Sequence, residues 1–586
     1  MKSFFKSVLA TITGLVIFLL LIFFVFAIIA ASTDSAPVIS SKSTLHIKLN
    51  GPVKEKAETP DQFEMIFDKN LNPDLGQIVN AIQRAKKDTK IKGIYFQPVL
   101  PEMGYASATI LRNALKDFRS SGKYVYSYSE FYTPLTYYIS SVADSIFLSP
   151  NGIVQKTGFS ASIPFFKEFY DNIGIKWNIF YAGQFKSATE PLRYNKMSEQ
   201  NRFQLHEFFS GLYKNTRDSI LSIRNINKDS MESFVNNFKG LFPQNAVKYG
   251  LVDSLIYQID FVNLLKEKNG ISKKKKLKLV SVNKYRRGSD KLKIKKSKNK
   301  IAVIYMEGNI VDVGNKSGRI SPEKFAKAFD DILRKDNIKG VVLRVNSPGG
   351  SGSASDEILR AVDRVKEAGK PVIVSMGDYA ASGGYYISCH ADTIVADANS
   401  LTGSIGVFGI LPEFKELMDD KLKVHFDSVK THKMSLAFSP QYNMDDDSRK
   451  LMQTYIENFY EQFLLTVAKG RNMTRDQVHK VAQGRIWLGA KAQEIGLVDV
   501  LGNLDKAIEI CANKANLEEY TLTKYPRVTT NFVEQIIMQL SEQTNVDSKI
   551  LNSKYIKEFK PVLEILNDKT QIAQPQARLP FDINFR

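Results

Sequence analysis

Cysteine is nearly absent from this 586-residue chain, which has only Cys389 and Cys511. At most one bridge could form, so a disulfide framework is excluded, and so is a cysteine-built metal site. Histidine is scarce as well, with six residues: His46, His206, His390, His425, His432 and His479. None sits in a motif. No aromatic-interleaved basic groove or nucleic-acid motif is present, which argues against a nucleic-acid partner. After residue 31 no stretch is apolar enough to span a bilayer. The composition is that of a folded protein, 43% hydrophobic and 24% charged, and long enough for two or more domains.

Two segments stand apart. From Val8 to Ala31 the chain runs 24 residues without a charge, behind Lys2 and Lys6. As a helix this run would extend roughly 36 Å, enough to cross a membrane. A cleaved signal peptide is the rival reading, but its apolar core is typically about 7–15 residues. The run therefore predicts an N-terminal anchor over residues 1–32. Flanking lysines that stay inside would leave the remainder of the chain outside the cytoplasmic membrane. The second segment, Lys273 to Lys300, holds 14 Lys or Arg against one acid, Asp290, and so supplies +13 of the net +20. It reads as a solvated linker, with an anionic membrane surface as its natural neighbour.

The linker separates two similar halves. "IKGIYF" at Ile91 matches "IKGVVL" at Ile338, an offset of 247. "ILRNALKDFRSSGK" at Ile110 matches "ILRAVDRVKEAGK" at Ile358, and "YYISSVAD" at Tyr137 matches "YYISCHAD" at Tyr385, both at 248. "GLVD" occurs at Gly250 and again at Gly496, 246 apart. Four matches in order at nearly one offset indicate an internal duplication. Strand-like runs alternate with helical patterns in the second half. "KIAVIYM" is followed by a helix from Ser321, the strand "GVVLRV", a helix from about Ala354 to Ala368, and the strand "PVIVSM". This order predicts an α/β fold with parallel crossovers. "DSRKLMQTYIENFYEQFLLTVAKGR" predicts a long amphipathic helix.

Small residues surround Ser382 in "AASGG", as expected for a serine presented for chemistry. The first half has Pro134 at that position, and Glu102 and Met103 where the second has Gly349 and Gly350. A nucleophilic serine needs a base. If "SGGYYISCH" is one helix, His390 lies roughly 12 Å beyond Ser382, against the ~3 Å a base requires. A buried lysine is the alternative. Lys186, in "IFYAGQFKSATEPLRY", follows an apolar run and is flanked by small residues. Alone it is indistinguishable from a surface lysine. Glu190 would hold Lys186 charged if a helix joined them; Pro191 predicts that the segment is not helical there.

The motifs "NSPGGS", "ASGGYYIS", "LTGSIGV", "FKSATEP" and the repeated "GLVD" fall in one order from about residue 45 to 525. Together they resemble the long, duplicated form of the bacterial signal peptide peptidase, or protease IV, family. The resemblance implies two tandem Clp protease/crotonase-like α/β domains: residues 45–270 supplying a base lysine, and 301–525 supplying a nucleophilic serine. Between them lies the 271–300 linker, and a 526–586 tail follows. It implies a Ser/Lys dyad of Ser382 and Lys186, an oxyanion hole at Gly350 and Gly383, and Ser404 orienting the lysine. The second half's counterpart of Lys186 falls near Thr431 or His432, with Lys430 and Lys433 close by. No metal or cofactor is implied. The expected function is a serine endopeptidase that degrades cleaved signal peptides and other apolar peptides. It would be a homotetramer, anchored in the bacterial inner membrane with its domains on the periplasmic side. A crotonase-like acyl-CoA enzyme and an inactive peptide-binding scaffold are the competing readings.

Overall fold

The computed structural model describes residues 6, 9–18, 21, 37–56, 73–289, 297–314, 318–526 and 576–578. Each half is built on a largely parallel sheet. In the first the strand order is Ser254–Leu255, Ser145–Val154, Tyr124–Tyr132, Ile91–Glu102, Ser43–Pro52, Leu279–Ser281, with every neighbour parallel. In the second it is Ile486–Leu488, Leu401–Gly403, Val372–Ala381, Ile338–Ser347, Lys300–Glu307, Thr521–Tyr525. Only the Leu401–Gly403 and Ile486–Leu488 pair is antiparallel there. Parallel neighbours need crossovers, and helices supply them. The Pro322–Arg334 helix is capped by Ser321, whose side chain accepts from the Lys324 N–H, and buries Phe325, Ala328, Phe329 and Ile332. The Asp446–Arg471 helix buries Met452, Ile456, Tyr460, Phe463, Leu464 and Val467 along one stripe.

The duplication recurs bond for bond. Tyr137 Oη donates to Leu251 O at 2.9 Å, and Tyr385 Oη donates to Leu497 O at 2.9 Å. Asp253 accepts from the Ile146 N–H and pairs with Arg224; Asp499 accepts from the Ile394 N–H and pairs with Arg471. The two "GLVD" copies therefore do the same work in each half. The leucine carbonyl receives a buried tyrosine, and the aspartate caps a strand.

Three features join the halves. The Lys176–Ala182 strand of the first half pairs antiparallel with Val407–Glu413 of the second. Asp378 accepts from the Gly104 N–H, the Ser107 N–H and the Ser107 hydroxyl, capping the first half's Tyr105–Arg119 helix, whose own cap residue Gly104 has no side chain. Arg344, 1% exposed, makes a two-pronged ion pair with Glu55 at 2.6 and 3.0 Å.

The expected membrane span, Val8–Ala31, lies largely outside the described residues. Residues 9–18 and 21 are helical, and no helix among the described residues is long and apolar enough to cross a membrane. The basic linker departs from expectation. Leu279–Ser281 extends the first half's sheet, and the Val282–Ser289 helix follows, with Val280, Val282 and Tyr285 buried in that half's core. The alternating apolar residues Leu277, Leu279 and then Val280, Val282 offered burial that the lysine count obscured. Residues 290–296 and, apart from 576–578, the 527–586 tail lie outside the described residues.

Candidate active site

Ser382 sits at the junction of the Val372–Ala381 strand and the short Gly383–Tyr386 helix. Its backbone is at φ 57°, ψ −117°, a region that L residues rarely occupy, and its N–H is held by Gly403 O at 2.8 Å. Such strain persists only where the surroundings over-determine it. The helix ends at Tyr386, so the sequence "SGGYYISCH" is not one helix. His390 is bonded instead to Asp363 and to Thr466 O, and takes no part in the site.

Lys186 arrives from the other half. The Lys176–Ala182 strand runs along Val407–Glu413, and the turn after it brings Lys186 into contact with Ser382. Its Nζ lies 2.8 Å from Ser382 Oγ, 3.0 Å from Ser404 O and 3.0 Å from Ser404 Oγ. Ser404, at φ 51°, is itself in the left-handed region. Lys186 is 1% exposed, and burial alone drives its pKa well below the ordinary lysine value. Lys186 Nζ donates to both Ser404 oxygens and lies in hydrogen-bond contact with Ser382 Oγ; as a neutral amine it would turn its lone pair to the serine proton.

Glu190 does not reach the lysine. It accepts from the Ser198 hydroxyl at 2.5 Å and from Asn201 Nδ2 at 2.9 Å. The expectation of a non-helical segment is corrected, because Ser187–Thr189 forms a 3₁₀ turn and Glu190–Arg193 a single α turn. Pro191 falls in the first helical turn, where a missing N–H costs nothing. The carboxylate points away nonetheless.

Gly383 follows Ser382 directly, and the Gly349–Ser351 strand, which holds Gly350, packs against the Gly383–Tyr386 helix. Gly383 is the first residue of its helix, so its N–H has no acceptor within the helix. Gly350 is at φ 154°, and a Cβ there would sit 1.9 Å from Ile310 O. Only glycine fits. Lys430, Thr431, His432 and Lys433 are exposed. His432 bonds to Thr431 and Lys433 pairs with Asp447, away from the dyad. No group of acidic, histidine or cysteine side chains among the described residues could hold a metal ion.

Sequence reading missed the frame behind Lys186. Gly484, at φ 78°, packs so closely that a Cβ would lie 2.6–2.7 Å from Lys186 Cβ, Cα and N. Phe185 N–H donates to Gln483 O at 2.8 Å, and Gln204 Nε2 donates to Phe185 O at 3.0 Å and to Ser187 Oγ at 3.1 Å. These residues belong to no nucleophile or base pattern, and only the folded contact marks them.

A serine in hydrogen-bond contact with a buried lysine is an arrangement that can carry acyl transfer. Comparison with known proteins points the same way. Peptidase family S49 matches twice, over residues 117–272 and 364–518. The chain is 35% identical over 460 residues to Protease 4 of Haemophilus influenzae, covering 76% of this chain and 73% of that protein. It is 33% identical over 511 residues to Protease 4 of Salmonella typhi, covering 83% and 80%. A solved structure of a ClpP1 mutant from Listeria monocytogenes covers 35% of this chain and 94% of that one, at TM-score 0.24 and 14% identity. That likeness is too low to carry weight, whereas the repeated family match and the long alignments are decisive: the chain belongs to peptidase family S49, the protease IV family, and is a serine peptidase.

Proposed function

We propose that the protein is a membrane-anchored endopeptidase in which Ser382 is the nucleophile and Lys186 the general base. The observation that carries this is the 2.8 Å contact between Lys186 Nζ and Ser382 Oγ in a buried site whose desolvation lowers the lysine pKa well below its ordinary value. Lys186 takes the Ser382 hydroxyl proton as Oγ bonds to the peptide carbonyl carbon. The oxyanion is received by the N–H groups of Gly350 and Gly383, and the short helix behind Ser382 orients its first N–H there. The C–N bond breaks, and Lys186 passes its proton to the departing amine. Water then attacks the acyl-enzyme carbonyl, giving a proton to Lys186; the C–Oγ bond breaks, Lys186 returns that proton to Ser382 Oγ, and the acid product leaves. Ser404 orients the lysine through its carbonyl and hydroxyl.

The substrate class is apolar peptide, including cleaved signal peptides. A relative 34% identical over 240 residues, covering 40% of this chain and 70% of its own, is a putative signal peptide peptidase SppA of Enterococcus faecium. The uncharged Val8–Ala31 run supports an anchor, with the catalytic halves on the extracytoplasmic side and a Clp/crotonase-type fold in each. The test is hydrolysis of a fluorogenic apolar peptide by the detergent-solubilised chain. Ser382→Ala and Lys186→Ala should each lose about 10⁴-fold in kcat. Unchanged hydrolysis in either would sink the dyad.

The homotetramer is part of the same reading, and the repeat supports a head-to-tail join. "PFFKE" at Pro164 matches "PEFKE" at Pro412 at offset 248, and Lys176 matches Lys423 at 247. The strand pair that joins the halves thus has counterparts at 159–165 and 423–429. Neither counterpart is in a strand here, and most of their residues are exposed, Val429 at 99%. Pairing them between copies repeats the internal join and places Ser162 opposite Phe426, as Ile410 is opposite Ile179. A Ser162→Cys/Phe426→Cys chain should cross-link into a ladder ending at four copies. A single-band monomer after oxidation would refute the join.

A further inference from the structure

The strand that leads into Ser382 is bulged. Val372–Ala381 keeps parallel register with Ile338–Ser347 as far as Met376, opposite Val345, and resumes at Ala380, opposite Ser347. Asn346 alone therefore stands against Gly377, Asp378 and Tyr379. A bulge re-aims the residues that follow it and is often found beside an active site. Two residues of this one are tied down within the second half. Ser400 Oγ donates to Gly377 O at 2.7 Å, and the Tyr379 N–H donates to Asn346 Oδ1 at 3.1 Å.

The middle residue is tied to the other half. The buried Asp378 carboxylate accepts from the Gly104 N–H at 3.0 Å, the Ser107 N–H at 2.8 Å and the Ser107 hydroxyl at 2.7 Å. All these donors belong to the first half. Past the bulge, Tyr379 and Ala381 pack on the first half's core and Ala380 on the second's. The chain just before Ser382 is thus seated on the half that carries Lys186.

Capping a helix does not by itself call for this arrangement. The matching helix of the second half, Gly352–Glu367, is capped by the adjacent Ser351, whose side chain accepts from the Ala354 N–H. At offset 247 the first half has Gly104. Its backbone, φ −86° and ψ 177°, is ordinary extended chain in which serine or aspartate caps helices well. What forbids a side chain there is Asp378 itself, because a Cβ on Gly104 would lie 2.3 Å from the Asp378 Cγ. The repeat position of Asp378 is Glu130, which is exposed. A buried carboxylate reaching across the join replaces a cap that the helix could carry itself.

We propose that Asp378 is a positioning residue: it fixes the end of the nucleophile strand on the first half and so holds Ser382 within reach of Lys186. The proposal rests on the reading of these two residues as the dyad. Asp378 is four residues from Ser382, and a misplacement of about 1 Å at the reacting groups can cost about 10²-fold in rate. Without the carboxylate the bulge keeps only its bonds to the second half.

The test exchanges the two residues in the full-length chain. In Gly104→Asp with Asp378→Gly the helix regains an aspartate cap from its own half, and the bond between halves is cut. This chain is compared with Asp378→Gly, with Asp378→Asn and with Leu111→Ala, which removes a buried side chain from the same helix and leaves the cap alone. Tm is measured for each, and kcat and KM on the fluorogenic apolar peptide are measured well below it. Asp378→Gly should lower Tm and reduce kcat about tenfold or more, with little change in KM. The exchange should return Tm towards the native value and leave kcat low. Asp378→Asn, which keeps one acceptor oxygen, should recover part of kcat. Leu111→Ala should lower Tm and keep the native kcat. If the exchanged chain stays unstable, the comparison of Asp378→Gly with Leu111→Ala decides. Recovery of kcat together with Tm in the exchanged chain, a native kcat in Asp378→Gly, or equal losses of kcat in Asp378→Gly and Leu111→Ala would overturn the proposal while leaving the dyad standing. Hydrolysis undiminished by Ser382→Ala would overturn the dyad itself.

Discussion

Lys186 Nζ and Ser382 Oγ lie 2.8 Å apart although 196 residues separate them in sequence, and each comes from a different copy of the same ancestral repeat. The antiparallel pairing of Lys176–Ala182 with Val407–Glu413 is what brings Lys186 to Ser382.

Lys186 should cost the protein stability. Its folded pKa is depressed, so between that value and the ordinary 10.5 the unfolded chain binds the extra proton. Stability contributed by this group therefore rises with pH across that window and is lost as pH falls. Lys186→Met, which keeps the packing and removes the buried amine, should abolish hydrolysis and raise Tm at pH 7. A lowered Tm in thermal denaturation would argue that the amine is structurally required.

Glu55 and Arg344 should behave as a coupled pair. Both are buried, and the pair ties the first half to the second. Glu55→Ala leaves an uncompensated buried guanidinium, a loss of about 3–5 kcal/mol in chemical denaturation. Replacing both, as in Glu55→Leu with Arg344→Met, should recover most of that loss. A double variant as unstable as the single one would show that the pair is worth more than its desolvation.

Burial also raises the carboxyls of Glu307 and Asp397, each to about 7. Here the sign is opposite to that of Lys186. Between about pH 4 and 7 the folded state holds protons that the unfolded state has released, so stability from these groups is present at low pH and falls as pH rises through 7. Asp397→Asn should flatten the decline in Tm between pH 5.5 and 8. An unchanged slope would remove Asp397 from the account.

Gly350→Ala should reduce kcat by about 10²–10³ with a smaller change in KM, as expected when an oxyanion donor is displaced. The Cβ would meet Ile310 O at 1.9 Å, so the strand must shift. Steady-state kinetics on the fluorogenic peptide checks the split between kcat and KM.

The duplication and the small-residue setting of Ser382 were legible because both are local. "GLVD" and "YYIS" repeat since each half needs the same tyrosine-to-carbonyl bond and the same aspartate cap, and "AASGG" clears space around Ser382. The burial of Lys186 against Ser382 was foreshadowed only through family resemblance, because nothing near Lys186 in sequence distinguishes it from a solvated lysine. Its burial comes from Ser404, Gly484 and Gln204, which lie 218, 298 and 18 residues away in the sequence. The sheet shared between halves was invisible for the same reason: Val407–Glu413 reads as a short strand, and its partner 231 residues upstream follows no local rule. Pro191 misled because proline was read as a break where it opens a turn. The charge of the 271–300 segment hid the few apolar residues that dock it on the first half.

The account depends most directly on Lys186 being neutral when it meets Ser382. The measurement is the pH dependence of kcat/KM on the fluorogenic peptide, from pH 5 to 10, for the native chain and for Lys186→Arg. The native profile should rise with a single ionisation far below 10.5 and reach its plateau without strong alkali. Lys186→Arg, which cannot deprotonate, should lose activity at every pH. A native profile that climbs only above pH 10, or an arginine variant that retains hydrolysis, would contradict the account.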